Sequence, residues 1–182
     1  MSSLVIDAAY PPAMVPAGVS GVMGYVGGAA AHVWTPTEWK PFHAIRQFPI
    51  WVAEIIESPQ VSARGAVAAV GKLGWAAHEA DTRVIVCDLE TQVDPGWYAE
   101  WATAIGNAGY LSVAYGSLST VLGNSAVDVI AADWDGIKSI PAGQTIHGVQ
   151  YAANTKVGGT VIDSSIFDSW LMARGGVGPR RA

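Results

Sequence analysis

The chain has 182 residues, of which 51 % are hydrophobic and 14 % are charged, and its 10 basic and 15 acidic side chains give a net charge of −5. Domains usually contain about 100–200 residues, so this length predicts a single domain. The hydrophobic content excludes a disordered chain, and the small number of basic residues excludes a protein that binds nucleic acid through a wide positive face.

Short apolar runs, typical of buried parallel strands, recur along the chain between helical or loop segments. They predict eight strands, over residues 4–6, 18–26, 48–56, 83–89, 110–115, 127–134, 145–151 and 159–162. Apolar spacing predicts a helix over 62–78, and a second helix with Asp94 as its N-cap runs from Pro95 to near Gly109. A short helix is predicted to start at Thr35, and a terminal helix to cover residues 166–173.

Eight strands alternating with helices favour the α/β class and a parallel (β/α)8 TIM-like barrel. Such barrels usually need about 250 residues, so a compact barrel of this length requires several reduced helices. An open doubly wound sheet with fewer strands is the alternative. We expect one barrel domain over residues 1–173 and a flexible, glycine-containing tail over 174–182.

Few features of the sequence indicate where the protein is located. The single cysteine, Cys87, forms no internal disulfide, and no apolar run reaches the roughly 18 residues of a membrane span. Residues 1–3 lead straight into an apolar run without a basic region, so we expect no Sec signal peptide. The expected locations are a phage virion or a host cytoplasm with release at lysis, and the alternative is export by a non-Sec route.

Acidic residues gather at predicted strand ends. Side chains alternate along a strand, so Val84, Val86, Asp88 and Glu90 share one face, and Cys87 faces the helices with the other apolar residues. The first face then points into the barrel and carries two carboxylates at its C-terminal end, where barrel enzymes place their chemistry. Two further acids end the first and eighth predicted strands, Asp7 and Asp163.

Clustered carboxylates serve glycoside hydrolysis or metal binding. In the first, one carboxyl is kept protonated by burial and by its neighbours and donates its proton to the leaving oxygen. In the second, a divalent cation neutralises the cluster, but no histidine spacing supports a metal site, and we predict none. Aromatic rings near the strand ends would stack on sugar faces, and Tyr25, Tyr115, Trp134 and Tyr151 are the candidates. Trp134 and Asp133 alternate, and Trp134 is the one expected to face the lumen.

Several short motifs, taken in order, resemble the family 25 glycoside hydrolases, which are lysozymes with a (β/α) barrel that cleave peptidoglycan. They are VID at 5–7, VIVCDLE at 84–90, AY at 114–115, ADW at 132–134, VQY at 149–151 and VID at 161–163. The stretches WTPTEW at 34–39 and FPIWV at 48–52 look closer to the glycoside-hydrolase-like domain family DUF1906 of actinobacteria and their phages. In that family an Arg-Tyr pair often stands where this chain has Gly24 and Tyr25.

The resemblance implies roles for individual residues. Glu90 matches the general acid, Asp88 its paired carboxylate, and Asp7 and Asp163 the acids of the first and last strands. Three further positions match residues that line the substrate cleft: Gln150, Tyr115 and Trp134. The implied substrate is the N-acetylmuramoyl glycan of the bacterial cell wall, and no cofactor is implied.

Two function classes therefore stay open. The first is a retaining or substrate-assisted glycosidase with Glu90 as acid and Asp88 as partner. The second keeps the barrel as a non-catalytic glycan-binding or structural module, in a homo-oligomer or on a phage virion, because short loops and high apolar content suit assembly. A metal-dependent hydrolase is a weaker third reading.

Overall fold

The computed structural model describes residues 2–54, 56–75, 83–90, 94–123, 128–140, 145–157 and 159–176. Within these ranges, eight strands close into one barrel, in chain order. The strands are β1 (Ser3–Asp7), β2 (Gly21–Gly28), β3 (Arg46–Val52), β4 (Val84–Asp88), β5 (Leu111–Ser117), β6 (Val129–Ala132), β7 (Ile146–Val157) and β8 (Thr160–Phe167). The helices are α1 (Pro36–Trp39), α2 (Pro59–Lys72), α3 (Pro95–Asn107), α4 (Leu118–Gly123) and α5 (Ser169–Arg174), with a 3-10 turn at Lys40–Phe42. The predicted compact TIM-like barrel is confirmed, and the open sheet is wrong.

The direction of the last strand corrects the expectation of an all-parallel barrel. Strands β1 to β7 pair in parallel, but β8 runs antiparallel to both β7 and β1. The predicted gap between these strands, residues 152–158, is shorter than the roughly dozen residues that a parallel crossover needs. The chain instead extends β7 past the barrel and returns directly, so that Val157 pairs with Thr160.

The helical layer is reduced, as predicted. Among the helices in the described part of the chain, only α2 and α3 exceed two turns, and the loop of residues 8–20 between β1 and β2 contains no helix. Asp94 is the N-cap of α3, as predicted, and accepts a hydrogen bond of 2.8 Å from the Gly96 N–H. Helix α2 begins at Pro59, earlier than predicted, because Ser58 caps it in the same way. None of the helices in the described ranges is long and apolar enough to cross a membrane.

Side-chain alternation divides the core into two apolar layers, as β4 shows. Val84 and Val86 belong to the cluster inside the barrel, whereas Ile85, Cys87 and Leu89 belong to the cluster between strands and helices. The predicted faces of this strand are therefore confirmed. Burial raises the pKa of the Cys87 thiol, which suits an unreactive core residue. Helix-side tryptophans fill the outer cluster: Trp34, Trp39, Trp75 and Trp101.

The N-terminal end of the barrel is closed by α5. The predicted helix over 166–173 starts too early, because Ile166 and Phe167 are the last residues of β8 and Asp168 caps α5. Leu171 packs into the inner cluster, and both ring nitrogens of His147 lie 2.9 Å from carboxylate oxygens, one on Asp128 and one on Asp168. This histidine therefore ties the starts of β6 and β7 to the start of α5.

The domain reaches further along the chain than predicted. Arg174 is the last residue of α5, and Gly176 exchanges backbone hydrogen bonds of 2.7 and 2.9 Å with Gln47 on β3. Residues 174–176 of the expected tail over 174–182 are therefore part of the folded domain. Residues 177–182 lie outside the described ranges.

Candidate active site

The four predicted catalytic carboxylates all lie at the C-terminal end of the barrel. Asp7 and Asp88 are the last residues of β1 and β4, and Glu90 follows two positions later, exposed. Asp163 was expected to end the eighth strand but lies within β8, directly paired with Asp7. Because β8 is antiparallel, its first residues, and not its last, reach this rim.

Two cavities open at this rim, and Tyr25 lines both of them. The first, which we call the β4 cavity, has a volume of about 290 Å³ and is lined by Asp88, Glu90, Tyr115 and Trp134. The second, the hairpin cavity, has a volume of about 460 Å³ and contains Asp7 and Asp163. We refer to the two cavities together as the cleft: Asp88 and Glu90 line the first, Asp7 and Asp163 line the second, and Tyr25 lines both.

Gln150 joins the carboxylates to the aromatic wall. It is fully buried, and its amide Nε2 donates to both oxygens of Asp7, at 3.2 and 3.3 Å, and to Asp163 at 3.2 Å. Its Oε1 accepts a bond of 2.6 Å from the Trp134 indole N–H. These bonds fix which way the amide points, because the indole can only donate and must therefore meet Oε1, which leaves the Nε2 donors to the carboxyl oxygens. We expected Gln150 to bind substrate, but its burial makes it a residue that orients others.

Burial and mutual repulsion raise the pKa of two of the acids. Desolvation raises the pKa of Asp88 to about 8, and the charges of Glu90 and Asp7 add to this. Desolvation and the charge of Asp163 raise the pKa of Asp7 to about 7, although the Gln150 hydrogen bond opposes the shift. Asp88 therefore holds a proton at neutral pH. The cleft thus places a carboxyl that holds a proton beside further acidic side chains, and glycoside hydrolysis uses such a pair of carboxyl groups.

Three of the four predicted aromatic residues line the β4 cavity, and the fourth, Tyr151, belongs to the outer apolar cluster. Tyr115 is buried opposite Asp88 in the β4–β5 register, and Tyr25 is half-buried. Trp134 lies just past the end of β6 and remains 65 % exposed. Its indole N–H reaches the barrel interior at Gln150, whereas Asp133 is exposed, so the predicted choice between the two is supported by the geometry.

Position 24 requires a glycine for a steric reason. Gly24 faces the outer layer, and a Cβ added there would lie 2.7 Å from the rings of both Trp34 and Trp39. Real Cβ atoms do not approach other atoms so closely, so a larger side chain would displace the rings. The tryptophan pair packed beneath β2 therefore takes the space that a side chain at this position would need.

Sequence reasoning missed two residues that line the hairpin cavity, Asn154 and Tyr10. The Asn154 backbone N–H donates a bond of 2.6 Å to Asp163, and Tyr10 lines the cavity with an exposed ring that stacks on His32. Asn154 has a φ of 59°, a conformation that asparagine tolerates better than most residues, and this was the one available signal. Tyr10 and His32 lie in loops, where the sequence carries no periodic pattern.

A metal site was not predicted. Among the described residues, no group of three or more His, Cys, Asp or Glu side chains is placed to hold a metal ion.

No protein-family model matches the chain, and no curated protein matches its sequence. Solved structures do match. A bacterial lysozyme from Streptomyces coelicolor superposes with a TM-score of 0.71 at 16 % identity, over 94 % of this chain and 95 % of that one. A family GH25 lysozyme from Aspergillus fumigatus gives a TM-score of 0.68 at 12 % identity, over 97 % and 100 %. A Tat-secreted protein of Mycobacterium tuberculosis, solved with L-tartrate, gives 0.63 at 14 %, over 93 % and 98 %.

These likenesses show that the chain has the fold of the family 25 lysozymes along nearly its whole length. At such low identities the superpositions show the barrel fold alone, and an activity has to be argued from the residues of the site. The finer resemblance to the DUF1906 family stays a prediction.

Proposed function

We propose that the protein is a glycoside hydrolase of the lysozyme type that cleaves the glycan of bacterial peptidoglycan, with Glu90 as general acid and Asp88 as its partner. One observation carries the proposal: a buried, proton-holding carboxyl and an exposed one line the same cavity with two aromatic side chains, Tyr115 and Trp134. The fold shared with lysozymes supports it.

The number of protons that Asp88 and Glu90 hold together fits the reaction. In the first step the bond between the anomeric carbon and the leaving oxygen breaks, and that oxygen takes a proton from Glu90. In the free protein at neutral pH this proton is on Asp88, and it passes to Glu90 when the leaving oxygen binds, so that protonation of the leaving oxygen leaves the pair without a proton. The negative charge left behind then faces the positive charge developing on the sugar ring.

Water completes the hydrolysis by attacking the anomeric carbon and giving up a proton to Glu90, from which it returns to Asp88, so that the pair regains its starting protonation. Two routes are open for the first step. In the retaining route a carboxylate of the protein attacks the anomeric carbon, and in the substrate-assisted route the acetamido oxygen of the sugar does so. Asp7 and Asp163 act from the hairpin cavity, where their carboxyl oxygens accept hydrogen bonds from sugar hydroxyl or amide groups.

The test compares wild type, Glu90→Gln and the control Glu100→Gln on purified cell walls. Glu100 is exposed on α3, in the outer helical layer, so its substitution changes the charge equally but leaves the cleft intact. We expect new reducing ends from wild type and control, and a loss of at least about 10²-fold for Glu90→Gln. Equal release by Glu90→Gln, or none by wild type, would contradict the proposal.

The same experiment separates the non-catalytic alternative. Walls that retain the wild-type protein without releasing reducing ends would indicate a glycan-binding module. Assembly into a homo-oligomer or a phage particle stays a prediction, and sedimentation velocity measures it.

A wall-directed activity also requires a route to the wall. The two predicted routes are release at lysis, in or with a phage, and export that does not use Sec. The likeness to a Tat-secreted protein supports the second route.

A further inference from the structure

His147, near the start of β7, lies between two carboxylates at the end of the barrel opposite the cleft. Its Nδ1 lies 2.9 Å from Oδ2 of Asp168, and its Nε2 lies 2.9 Å from Oδ1 of Asp128. We propose that this arrangement is a pH-sensitive attachment of α5: the charged imidazolium ring of His147 holds the helix on the barrel, and loss of its proton loosens the helix. The attachment does not depend on glycan cleavage.

The two contacts of the ring require two protons. A neutral imidazole carries a proton on one nitrogen and a lone pair on the other, whereas the imidazolium ion donates from both. Carboxylates only accept, so the imidazolium ion alone can donate to Asp128 and Asp168 at once. When the ring is neutral, one carboxylate oxygen faces a nitrogen lone pair, and that contact is repulsive. The observed geometry is therefore that of the charged ring.

Helix α5 contributes two of the groups that favour the charged ring. Asp168 uses its other oxygen, Oδ1, to accept a bond of 2.8 Å from the Leu171 N–H, so its carboxylate is held in place as the N-cap. Trp170 stacks on the His147 ring, with centroids 3.9 Å apart and planes inclined by 17°, and an aromatic face attracts a cation. Because both groups belong to α5, loss of the charge weakens the attachment of the helix, whichever nitrogen keeps its proton.

The attachment of α5 determines how firmly this end of the barrel is closed. Leu171 fills the inner apolar cluster from below. The Gly175 N–H donates a bond of 3.2 Å to the Leu171 carbonyl oxygen, and Gly176 then pairs with Gln47 on β3. The protonation state of His147 therefore acts on the helix that covers the barrel and on the residues that follow it.

Other charged or titratable groups around the ring do not reverse this preference. The Arg174 guanidinium lies 4.0 Å from the Trp170 ring centroid, and Lys138 lines a cavity of about 260 Å³ beside α5; both are positive and oppose the imidazolium ion. Tyr98 stays neutral, because burial, with a smaller contribution from the charge of Asp128, raises its pKa above the ordinary value. The two direct, charge-assisted hydrogen bonds to the ring outweigh these repulsions.

The attachment is strongest at mildly acidic pH. A histidine in an unfolded chain titrates near pH 6.5, so well below this pH the ring is charged whether or not α5 is docked. There the charged contacts contribute fully, and their contribution is lost as the pH rises and the docked ring gives up its proton. A hydrogen bond to a charged group is strong enough to change an opening equilibrium about ten- to a hundredfold.

Two measurements on the full chain test the inference. Nitrogen-15 NMR of the imidazole distinguishes a ring protonated on both nitrogens from a neutral one, and we expect both nitrogens of His147 to be protonated at pH 5.5. Hydrogen exchange of the Met172 and Gly175 amides, whose bonds hold α5, reports the opening of the helix. Corrected for the intrinsic effect of pH, this opening should rise at least about tenfold between pH 5.5 and pH 7.5.

Amides of β4 such as Val86 report opening of the whole barrel, and the α5 response is taken relative to them. In His147→Gln the side chain cannot take up the proton, so α5 should open readily at both pH values. His32→Gln is the matched control and should respond as wild type, since His32 contacts a single carboxylate, Glu38, and stacks on Tyr10 beside the hairpin cavity.

A neutral His147 ring at pH 5.5 would overturn the inference, and this measurement needs only the wild-type protein, so it decides even if the variant does not fold. An equal pH response of α5 in wild type and His147→Gln would overturn it as well, because the response would then come from other groups.

Discussion

Replacing Asp88 by asparagine should make the protein more stable and its stability less dependent on pH. In the native protein Asp88 is 4 % exposed and its pKa is raised from 3.8 to about 8. The unfolded chain releases this proton near its ordinary pKa, so between these two values the native state binds one proton more. The free energy of unfolding is therefore highest at low pH and falls as the pH rises towards the native pKa.

The magnitude follows from the width of that window. A difference of one bound proton changes the free energy of unfolding by about 1.4 kcal/mol per pH unit. Between pH 5 and pH 8, Asp88 alone therefore accounts for a loss of about 4 kcal/mol. Asp7 acts in the same direction up to about pH 7, where its own native pKa lies. Asparagine cannot ionise, so Asp88→Asn removes the first contribution and leaves the second.

Urea unfolding at pH 5 and pH 8, followed by tryptophan fluorescence, measures both quantities. We expect Asp88→Asn to be more stable than wild type at both pH values, by a margin that is wider at pH 8. Asp133→Asn is the control, because Asp133 is an exposed acid at the same rim and its substitution removes the same charge. Identical pH slopes for wild type and Asp88→Asn would show that Asp88 is ionised in the native state and would refute the reasoning.

Three further substitutions test other contacts, each by urea unfolding at pH 7. Gln150→Leu should cost about 2–4 kcal/mol and lower any glycan cleavage, because it leaves Asp7 and Asp163 without their shared donor; an unchanged midpoint would contradict its orienting role. His147→Gln should cost about 2 kcal/mol by breaking the contacts to Asp128 and Asp168, and little or no cost would show that they are solvated. Gly148→Ala should cost about 1–3 kcal/mol, since the new Cβ would lie 2.6 Å from the Phe167 ring.

Much of the barrel could be predicted because its strands are short, apolar and buried on both faces. The β4 sequence shows this most clearly, since its alternation places Val84 and Val86 inside and Asp88 at the rim. The direction of β8 was harder, because a run such as 159–162 reads the same for either orientation. The one signal was the length of the gap before β8, which is too short for a parallel crossover and therefore indicates a hairpin.

The site was predictable as a set of residues but not as a set of contacts. Strand ends placed Asp7, Asp88 and Glu90 at the same rim, since parallel strands share that edge. The bridging role of Gln150 depends on how the residues of β6, β7 and β8 pair with one another, and no local sequence pattern encodes this register. The Tyr10–His32 contact joins two loops, and the sequence separation leaves no signal of their approach.

The antiparallel β8 also determines where the ends of the domain leave the barrel. Ser3 pairs with Phe167, so β1 starts and β8 ends on the same face, the one that α5 covers. In an all-parallel barrel the last strand would instead deliver the chain to the cleft. A linker joined before β1 or after α5 therefore emerges opposite the carboxylates, and a molecule immobilised through either end presents its cleft outward, unobstructed by the tether.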